Sequence, residues 1–213
     1  MRNINKKLLK IILGVLGVIA VGVGLFFLIR AINAKKTDQP KTALVVYFTE
    51  VTTQDGAEFV DMGETEIVAQ EIAIQANANV FRIQQIDWYS ENHEENMEHA
   101  KKEKEENARP EYLEDLVDTS YYSTIFLGYP VWYEDLPMVV YSFIEKTDWG
   151  GKDFYLFNTY YGKIVDTRSK VAEALGGGVA IGENVLSLSN DEARSETAVT
   201  KIQDWLKEIG SKK

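Results

Sequence analysis

Two adjacent aromatic residues give the first chemical signal in the sequence. Trp132 and Tyr133 follow an apolar run in which Gly128 is expected to turn the chain and Pro130 to fix its exit. Large aromatic faces held in a loop suit a flat ligand, because aromatic rings attract one another in offset-stacked arrangements. The pair therefore indicates a site for a planar ligand. Local packing of the two rings within a turn is the alternative interpretation.

A second candidate site lies in the loop after the first predicted strand. Thr49, Thr52 and Thr53 supply hydroxyl groups there, and the loop ends in Gly63-Glu64-Thr65 at a predicted helix start. Hydroxyl groups and the unpaired N–H groups of a helix N-terminus bind anions such as phosphate. The simpler alternative is that Thr65 or a neighbour only caps the helix. The loop carries neither G-x-G-x-x-G nor G-x-x-x-x-G-K-[ST], so the usual dinucleotide and P-loop fingerprints are missing.

Several kinds of chemistry are excluded by composition. The chain has no cysteine and two histidines, His93 and His99, which rules out thiol nucleophiles, disulfides, thiolate metal sites and multi-histidine metal sites. Both histidines lie in Glu91–Asn107, a Glu- and Lys-rich segment that predicts a solvated helix, so we interpret them as surface residues. No side chains suited to covalent or acid–base catalysis accompany the aromatic loop. Chemistry at that loop would come from a bound cofactor.

Charge is distributed unevenly along the chain. Residues 1–41 hold eight of the 23 basic residues but one of the 33 acidic residues, so the rest of the chain is strongly acidic. An acidic domain repels nucleic acid and attracts basic partners. We therefore expect no nucleic-acid partner, although solubility alone is an alternative reason for the charge.

The N-terminal region predicts a membrane anchor. Ile11–Ile29 is a run of nineteen uncharged, mostly apolar residues, long enough to cross a bilayer as a helix. Ile32 precedes Ala34 by two positions and makes a poor signal-peptidase site. We predict an uncleaved single-pass anchor over residues 1–30 and a polar tether over 31–42. Basic residues flank both sides of the apolar run, and we expect the following domain on the extracytoplasmic side of the cell membrane.

Strand and helix patterns alternate through residues 43–213, which predicts one α/β domain with a doubly wound parallel sheet. Five strands joined by right-handed crossovers fit the order 2-1-3-4-5, whose switch point lies between strands 1 and 3. Thr49–Thr65 and Tyr129–Pro137 are the loops at that point. The predicted strands are Ala43–Phe48, Val80–Ile86, the apolar run Ile125–Leu127, Asp153–Asn158 and Val179–Leu188. The predicted helices include one that begins at Gly63-Glu64-Thr65, two over Leu136–Lys146 and Ile164–Leu175, and a last helix. The last helix carries one apolar stripe, Ala198, Ile202, Trp205, Leu206 and Ile209.

Six segments carry a resemblance to a known family. They are V-V-Y-F-T (45–49), G-E-T-E-I-V-A (63–69), E-E-N-A-R-P-E (105–111), I-F-L-G-Y-P-V-W-Y (125–133), L-P-M (136–138) and G-K-D-F (151–154). Over residues 42–209 the sequence resembles the flavodoxins, specifically bacterial flavodoxin-like domains with an insertion in the phosphate loop. I-F-L-G-Y-P-V-W-Y with the following L-P-M is the most specific of these segments.

The resemblance implies a flavodoxin-like fold with non-covalently bound FMN. It assigns the FMN phosphate to Thr49, Gly63, Glu64 and Thr65. It assigns the flavin ring to Pro130, Val131, Trp132 and Tyr133, with Thr159, Tyr160, Tyr161 and Gly162 as the second wall.

Three functions stay open on the sequence. The first is a membrane-tethered FMN protein that carries electrons between a redox protein or small-molecule donor and an acceptor. The second is an FMN-dependent reductase that passes electrons from NAD(P)H to a quinone or similar acceptor. The third is a flavodoxin-shaped binding module without cofactor, because Glu64 and Glu134 would place carboxylates close to the phosphate and the ring.

Overall fold

The structure, a computed structural model, describes residues 42–49, 62–86, 93–113 and 117–211. The predicted anchor, residues 1–30, lies outside these ranges, as do residues 31–41 of the predicted tether and Thr52 and Thr53. Within the described ranges, no helix combines the length and the apolar character needed to cross a membrane.

A parallel sheet forms the centre of the domain. Its strands are β1 Ala43–Tyr47, β2 Asn79–Arg82, β3 Thr124–Pro130, β4 Asp153–Tyr160, β5 Ala180–Ile181 and β6 Leu186–Ser189. They run in the order β2-β1-β3-β4-β5, and β6 also pairs with β4. This confirms the predicted doubly wound α/β class and the order 2-1-3-4-5. The edge position predicted for the second strand is also confirmed.

The predicted fifth strand, Val179–Leu188, is wrong as a single strand. It is divided into β5, which pairs with the start of β4, and β6, which pairs with its end. Gly182 ends β5 and lies so close to Tyr155 that a Cβ there would be 2.7 Å from the ring. The carbonyl of Asn184 then accepts a hydrogen bond from Trp205 Nε1 at 3.1 Å. The final helix therefore holds the segment between the two strands.

Helices cover both faces of the sheet. One face buries Val68, Ile72 and Ile202 against the sheet, and the other buries Val139 and Phe143. Each fully buried aliphatic side chain of this size contributes about 1.5–3 kcal/mol. The helices are α1 Glu64–Ala76, α2 His93–Glu105, α3 Met138–Lys146, α4 Arg168–Leu175, α5 Asn190–Ala193 and α6 Glu196–Ser211, with a 3-10 turn at Thr119–Tyr121. The apolar stripe predicted for the last helix packs on the first of these faces. It consists of Ala198, Ile202, Trp205, Leu206 and Ile209.

Element ends differ from the sequence prediction where tertiary contacts decide them. β2 ends at Arg82 rather than Ile86, because Gln85 forms an antiparallel bridge with Tyr112 instead. β4 extends two residues beyond Asn158 because its end pairs with β6. The helices predicted from Leu136 and Ile164 begin at Met138 and Arg168.

The second helix is not solvated on all sides. Asn96, Ala100 and Glu103, spaced four and three residues apart, form a buried stripe on α2. The carboxylate of Glu103 accepts a hydrogen bond from Gln85 Nε2 at 3.0 Å. Polar residues therefore make up a buried face that hydrophobic periodicity does not reveal. The surface position predicted for His99 is confirmed, since its side chain is 45% exposed; the side chain of His93 lies outside the described part.

Candidate functional site

The predicted site residues meet at the carboxyl ends of three neighbouring strands. Thr49 follows β1, Pro130 ends β3, and Thr159 lies at the end of β4, paired in register with Pro130. The backbone N–H of Val131 donates to the carbonyl of Thr159 at 2.8 Å, which fixes the start of the aromatic loop. In an open parallel sheet this edge is where ligands bind.

Gly128 does not turn the chain, contrary to the sequence prediction. It lies inside β3, and a Cβ there would be 2.0 Å from the ring of Phe157 on β4. Its carbonyl also accepts a hydrogen bond from the N–H of Phe48 at 3.0 Å, immediately before Thr49. The missing side chain thus serves close packing of the three strands that carry the site.

A two-residue hairpin, the aromatic turn, follows β3 over Trp132–Asp135. The N–H of Trp132 donates to the carbonyl of Asp135, and the N–H of Asp135 donates to that of Trp132, both at 2.9 Å. The central residues, Tyr133 and Glu134, have φ angles of 51° and 61°. Two central residues with positive φ define the type I′ hairpin, which normally takes Asn-Gly or Gly-Gly.

Asp135 lies at the centre of a polar network beneath this turn. Its carboxylate is 2.8 Å from Lys170 Nζ and 3.7 Å from Lys104 Nζ. It also accepts a hydrogen bond from Tyr141 Oη at 2.8 Å. Burial raises the pKa of Asp135, but Lys170, Tyr141 and a backbone N–H outweigh it, so the net pKa is lowered. Burial and the bond to this carboxylate raise the pKa of Tyr141.

A cleft of about 360 Å³ opens between the aromatic turn and the end of β4. Its size falls within the roughly 300–1,000 Å³ typical of small-molecule sites. Met97 and Asn190 are among the residues that line the cleft, and the sequence analysis assigned neither of them to the site. The S-x-x-E pattern at Ser189 signals the capping box that starts α5 and could have located Asn190. The predicted residues that line the cleft are Pro130, Val131, Trp132, Tyr133, Thr159, Tyr160 and Tyr161.

We call the surface formed by Pro130–Tyr133, Tyr160 and Tyr161 the aromatic end of the site. Trp132 packs edge-on against Phe48, with ring centroids 5.7 Å apart and planes at 87°. Tyr161 is exposed, and Gly162 follows it with a φ of 80°.

Thr49, Gly63, Thr65 and Thr159 form what we call the hydroxyl end. The three threonines are 3%, 1% and 2% exposed, and the hydroxyls of Thr65 and Thr159 are hydrogen-bonded at 2.7 Å. Gly63 is the N-cap of α1, and no side chain caps this helix among the described residues. Among the described residues, Thr65 therefore does not cap the helix, contrary to the simpler interpretation, and its hydroxyl bonds to Thr159 instead. The resemblance assigned Thr159 only to the second wall around the flavin ring. In the structure it joins the two ends, because it lines the cleft and its hydroxyl bonds to Thr65.

Glu64 lies at the hydroxyl end but is paired with a cation. Arg194, just after α5, donates from Nε to the Glu64 carboxylate at 2.9 Å and from Nη2 to the carbonyl of Met62 at 2.8 Å. The ion pair compensates the negative charge that the sequence places beside the anion site. No sequence pattern indicates this partner, which lies 130 residues away.

The residues present fit a flat, phosphorylated cofactor. Buried hydroxyl groups and a helix N-terminus that no described side chain caps are suitable donors for a phosphate, and an aromatic cleft adjoins them. Within the described residues, no group of three or more His, Cys, Asp or Glu side chains could hold a metal ion. A parallel sheet with such a cleft at its carboxyl edge places the chain among ligand-binding, doubly wound α/β proteins.

Comparison with protein families matches residues 55–207 to the family described as flavodoxin. The match covers well over half of the chain. The chain therefore belongs to the flavodoxin family. No curated protein matches it.

Solved structures share the fold. A candidate flavoprotein from Bacteroides uniformis is 21% identical, with a TM-score of 0.62, and the alignment covers 79% of this chain and 99% of that one. A flavoprotein from Lactobacillus acidophilus, solved in complex with FMN, is 17% identical, with a TM-score of 0.53 and coverage of 78% and 98%. Oxidised flavodoxin 2 from Bacillus cereus is 15% identical, with a TM-score of 0.50 and coverage of 80% and 99%.

Proposed function

We propose that this chain is a membrane-tethered flavodoxin-like protein that binds FMN non-covalently and transfers electrons. One observation carries the proposal: a buried hydroxyl end and an aromatic end are joined through Thr159 at the carboxyl edge of the sheet. That arrangement suits a ligand with a phosphate at one end and a flat ring at the other.

FMN is the cofactor that membership of the flavodoxin family assigns to this domain. The FMN complex of the Lactobacillus acidophilus protein, which has the same fold, supports this assignment. Thr49, Gly63, Thr65 and Thr159 would hold the phosphate. Pro130–Tyr133 with Tyr160 and Tyr161 would line the ring, and Gly162 would shape the second wall.

When bound, the FMN ring supplies the capacity to accept and donate electrons. The chain contributes binding, orientation and electrostatics. The acidic character of the domain disfavours additional negative charge on the ring, which lowers its reduction potential. Glu64 contributes little repulsion to the phosphate because Arg194 lies 2.9 Å from its carboxylate.

The test is the visible absorption of the full-length protein purified in mild detergent. We expect flavin bands, and after removal of the cofactor we expect titration with FMN to restore them. Riboflavin, which lacks the phosphate, should bind more weakly than FMN because it leaves the hydroxyl end empty. A colourless protein that does not bind added FMN would overturn the proposal and favour the binding module without cofactor.

An FMN-dependent reductase is a second candidate function. Tyr161, beside the cleft, is 88% exposed, so the ring site is accessible to a second substrate. Oxidation of NAD(P)H by the FMN-loaded protein with a quinone as acceptor would favour the reductase. Electron exchange with protein partners and no NAD(P)H oxidation would favour the carrier.

The membrane location rests on the nineteen-residue apolar run from Ile11 to Ile29. We propose a single-pass anchor with the flavodoxin domain on the extracytoplasmic side, and a redox protein or small molecule as its electron-transfer partner. Membrane fractionation followed by protease treatment of intact cells tests both points. Recovery in the soluble fraction would contradict the anchor, and protection from protease would contradict the side.

A further inference from the structure

We infer that Asp135, Lys104 and Lys170 form an ionic clamp that holds Tyr133 and Glu134 in the left-handed conformation and thereby positions the aromatic end for the cofactor. We call these three residues the turn clamp. The inference rests on the proposed FMN function and identifies positioning residues for it.

The aromatic turn needs support from outside itself. Tyr133 and Glu134 have φ angles of 51° and 61°, and L-residues with a Cβ are strained in this region whereas glycine is not. A type I′ hairpin is normally made stable by Asn-Gly or Gly-Gly at these two positions. With a tyrosine and a glutamate there, the conformation persists only if surrounding contacts favour it.

The turn clamp contacts both strained residues through their carbonyl oxygens. Lys104 on α2 donates from Nζ to the carbonyl of Tyr133. Lys170 on α4 donates from Nζ to the carbonyl of Glu134 at 2.9 Å. The carbonyls of the two central residues are therefore each held by an ammonium group, and the two groups come from different helices.

Asp135 holds the two ammonium groups in place. Its Oδ2 lies 2.8 Å from Lys170 Nζ and 3.7 Å from Lys104 Nζ. Its Oδ1 accepts hydrogen bonds from the N–H of Leu136 at 2.9 Å and from Tyr141 Oη at 2.8 Å. The carboxylate is 14% exposed, so water screens these charges less than it screens a surface ion pair. One carboxylate thus joins the turn to α2, α3 and α4.

The position of the turn determines the position of the ring-binding side chains. Trp132 begins the turn and contacts Phe48 edge-on, and the hydroxyl of Tyr133 donates to the carbonyl of Met97 at 2.9 Å. If the turn relaxed out of the left-handed region, both aromatic rings would move away from the cleft. The turn clamp therefore supports FMN affinity without touching the cofactor.

The decisive experiment is a double-mutant cycle in the full-length protein with Asp135→Asn and Glu134→Gly. Asparagine keeps the size of Asp135 and an oxygen for Leu136 and Tyr141, but it removes the charge opposite both lysines. Glycine at position 134 adopts positive φ without strain. We expect D135N to weaken FMN binding about tenfold, which corresponds to about 1.4 kcal/mol. In the E134G background the same substitution should weaken binding by less than about threefold, because coupled residues are non-additive.

A readout without cofactor accompanies the binding cycle. Urea midpoints of the four apo proteins should show the same pattern, with a larger loss from D135N when Glu134 is present. The circular dichroism of bound flavin should change in D135N and return toward the parent spectrum in the double variant. Asp204→Asn is the matched control, because Asp204 pairs with Lys207 on the exposed side of α6, away from the turn; no change is expected.

The outcomes separate the clamp from the proposed function. Suppose that the parent binds FMN and that D135N weakens FMN binding by the same factor in the parent and in the E134G background. The clamp is then overturned, and the FMN proposal stands. An unchanged affinity in D135N has the same meaning. If the parent does not bind FMN, the proposed function fails. The urea midpoints of the four apo proteins then decide the clamp: coupling between positions 134 and 135 supports it, and the absence of coupling overturns it.

Discussion

The two ends of the site differ in exposure. At the hydroxyl end, Thr49, Thr65 and Thr159 are almost fully buried. At the aromatic end, Tyr133 and Tyr161 are 41% and 88% exposed. The hydroxyl end is built from the ends of two strands and the start of one helix. A buried hydrogen bond between the hydroxyls of Thr65 and Thr159, at 2.7 Å, joins these elements. The aromatic end is built from a strained turn held by charges on two helices. Its geometry depends on side-chain contacts between distant segments.

This difference indicates separate roles for the two ends. A rigid, buried end built from uncharged donors suits the invariant part of a cofactor, its phosphate. Under the proposed function, an exposed end held by ion pairs suits the part that meets electron-transfer partners. Variants that affect one end should therefore be distinguishable by comparing FMN with riboflavin, since riboflavin has the ring and lacks the phosphate.

The largest effect is expected from a substitution that disturbs both ends. In Gly128→Ala the new Cβ would be 2.0 Å from the ring of Phe157, and overpacking of this kind costs about 1–3 kcal/mol of stability. Since β3 supports both ends, binding of FMN and riboflavin should fall together. Urea unfolding measures the stability. Gly177→Ala, where no atom lies within 4 Å of the added Cβ, is the control and should be close to neutral.

Removal of the principal aromatic face should affect the ring alone. Trp132→Ala is expected to weaken FMN and riboflavin equally, by about 1–3 kcal/mol if stacking resembles that of bases on aromatic side chains. Fluorescence titration of the apo protein measures both affinities. Tyr121→Ala removes an aromatic side chain that is 75% exposed and outside the cleft, and serves as the control. Equal FMN affinity in the Trp132 variant and the parent would contradict stacking.

A smaller effect is expected at the hydroxyl end. Arg194→Gln removes the partner of Glu64 and leaves a carboxylate near the phosphate; two like charges 4 Å apart in water repel by about 1 kcal/mol. FMN binding should weaken by about that amount and riboflavin binding should not change. Adding Glu64→Gln should restore FMN affinity. Loss of riboflavin affinity in the Arg194 variant would instead indicate a disturbed fold.

Much of the fold could be predicted because it follows from local patterns. The strand order follows from the alternation of apolar strands and amphipathic helices, and the stripe from Ala198 to Ile209 on α6 is a property of a single helix. That Thr49, Pro130 and Thr159 meet at one edge of the sheet could be predicted for the same reason, because each follows or ends a strand of a parallel sheet. The type of each element was therefore more predictable than its ends.

The contacts that complete the site could not be predicted, because they join segments far apart in the chain. Lys170 lies 36 residues from Glu134, and Arg194 lies 130 residues from Glu64. Charged residues on a helix face show no periodicity that identifies their partners. The division between β5 and β6 has the same origin, since it depends on Gly182 packing against Tyr155 and on a hydrogen bond from Trp205.

The smallest expected effect is the pH dependence of the aromatic end. The pKa of Asp135 is lowered in the folded protein because Lys170, Tyr141 and a backbone N–H outweigh its burial. A carboxylate with a lowered pKa stabilises the fold at pH values above its unfolded pKa of about 3.9, and this stabilisation is lost as the pH falls through the folded pKa. The advantage of the parent over Asp135→Asn in urea midpoint should therefore be full at pH 7 and shrink below pH about 4.

Other carboxyl groups also have lowered pKa values, including Glu145, hydrogen-bonded to Arg109, and Glu192, hydrogen-bonded to Lys201. They are present in both proteins, so their contributions cancel in the difference between the parent and the Asp135 variant. A difference that stayed constant from pH 7 to pH 3 would mean that the charge of Asp135 contributes nothing to the turn. In that case the asparagine would act through its shape, and uncharged contacts would hold the aromatic end.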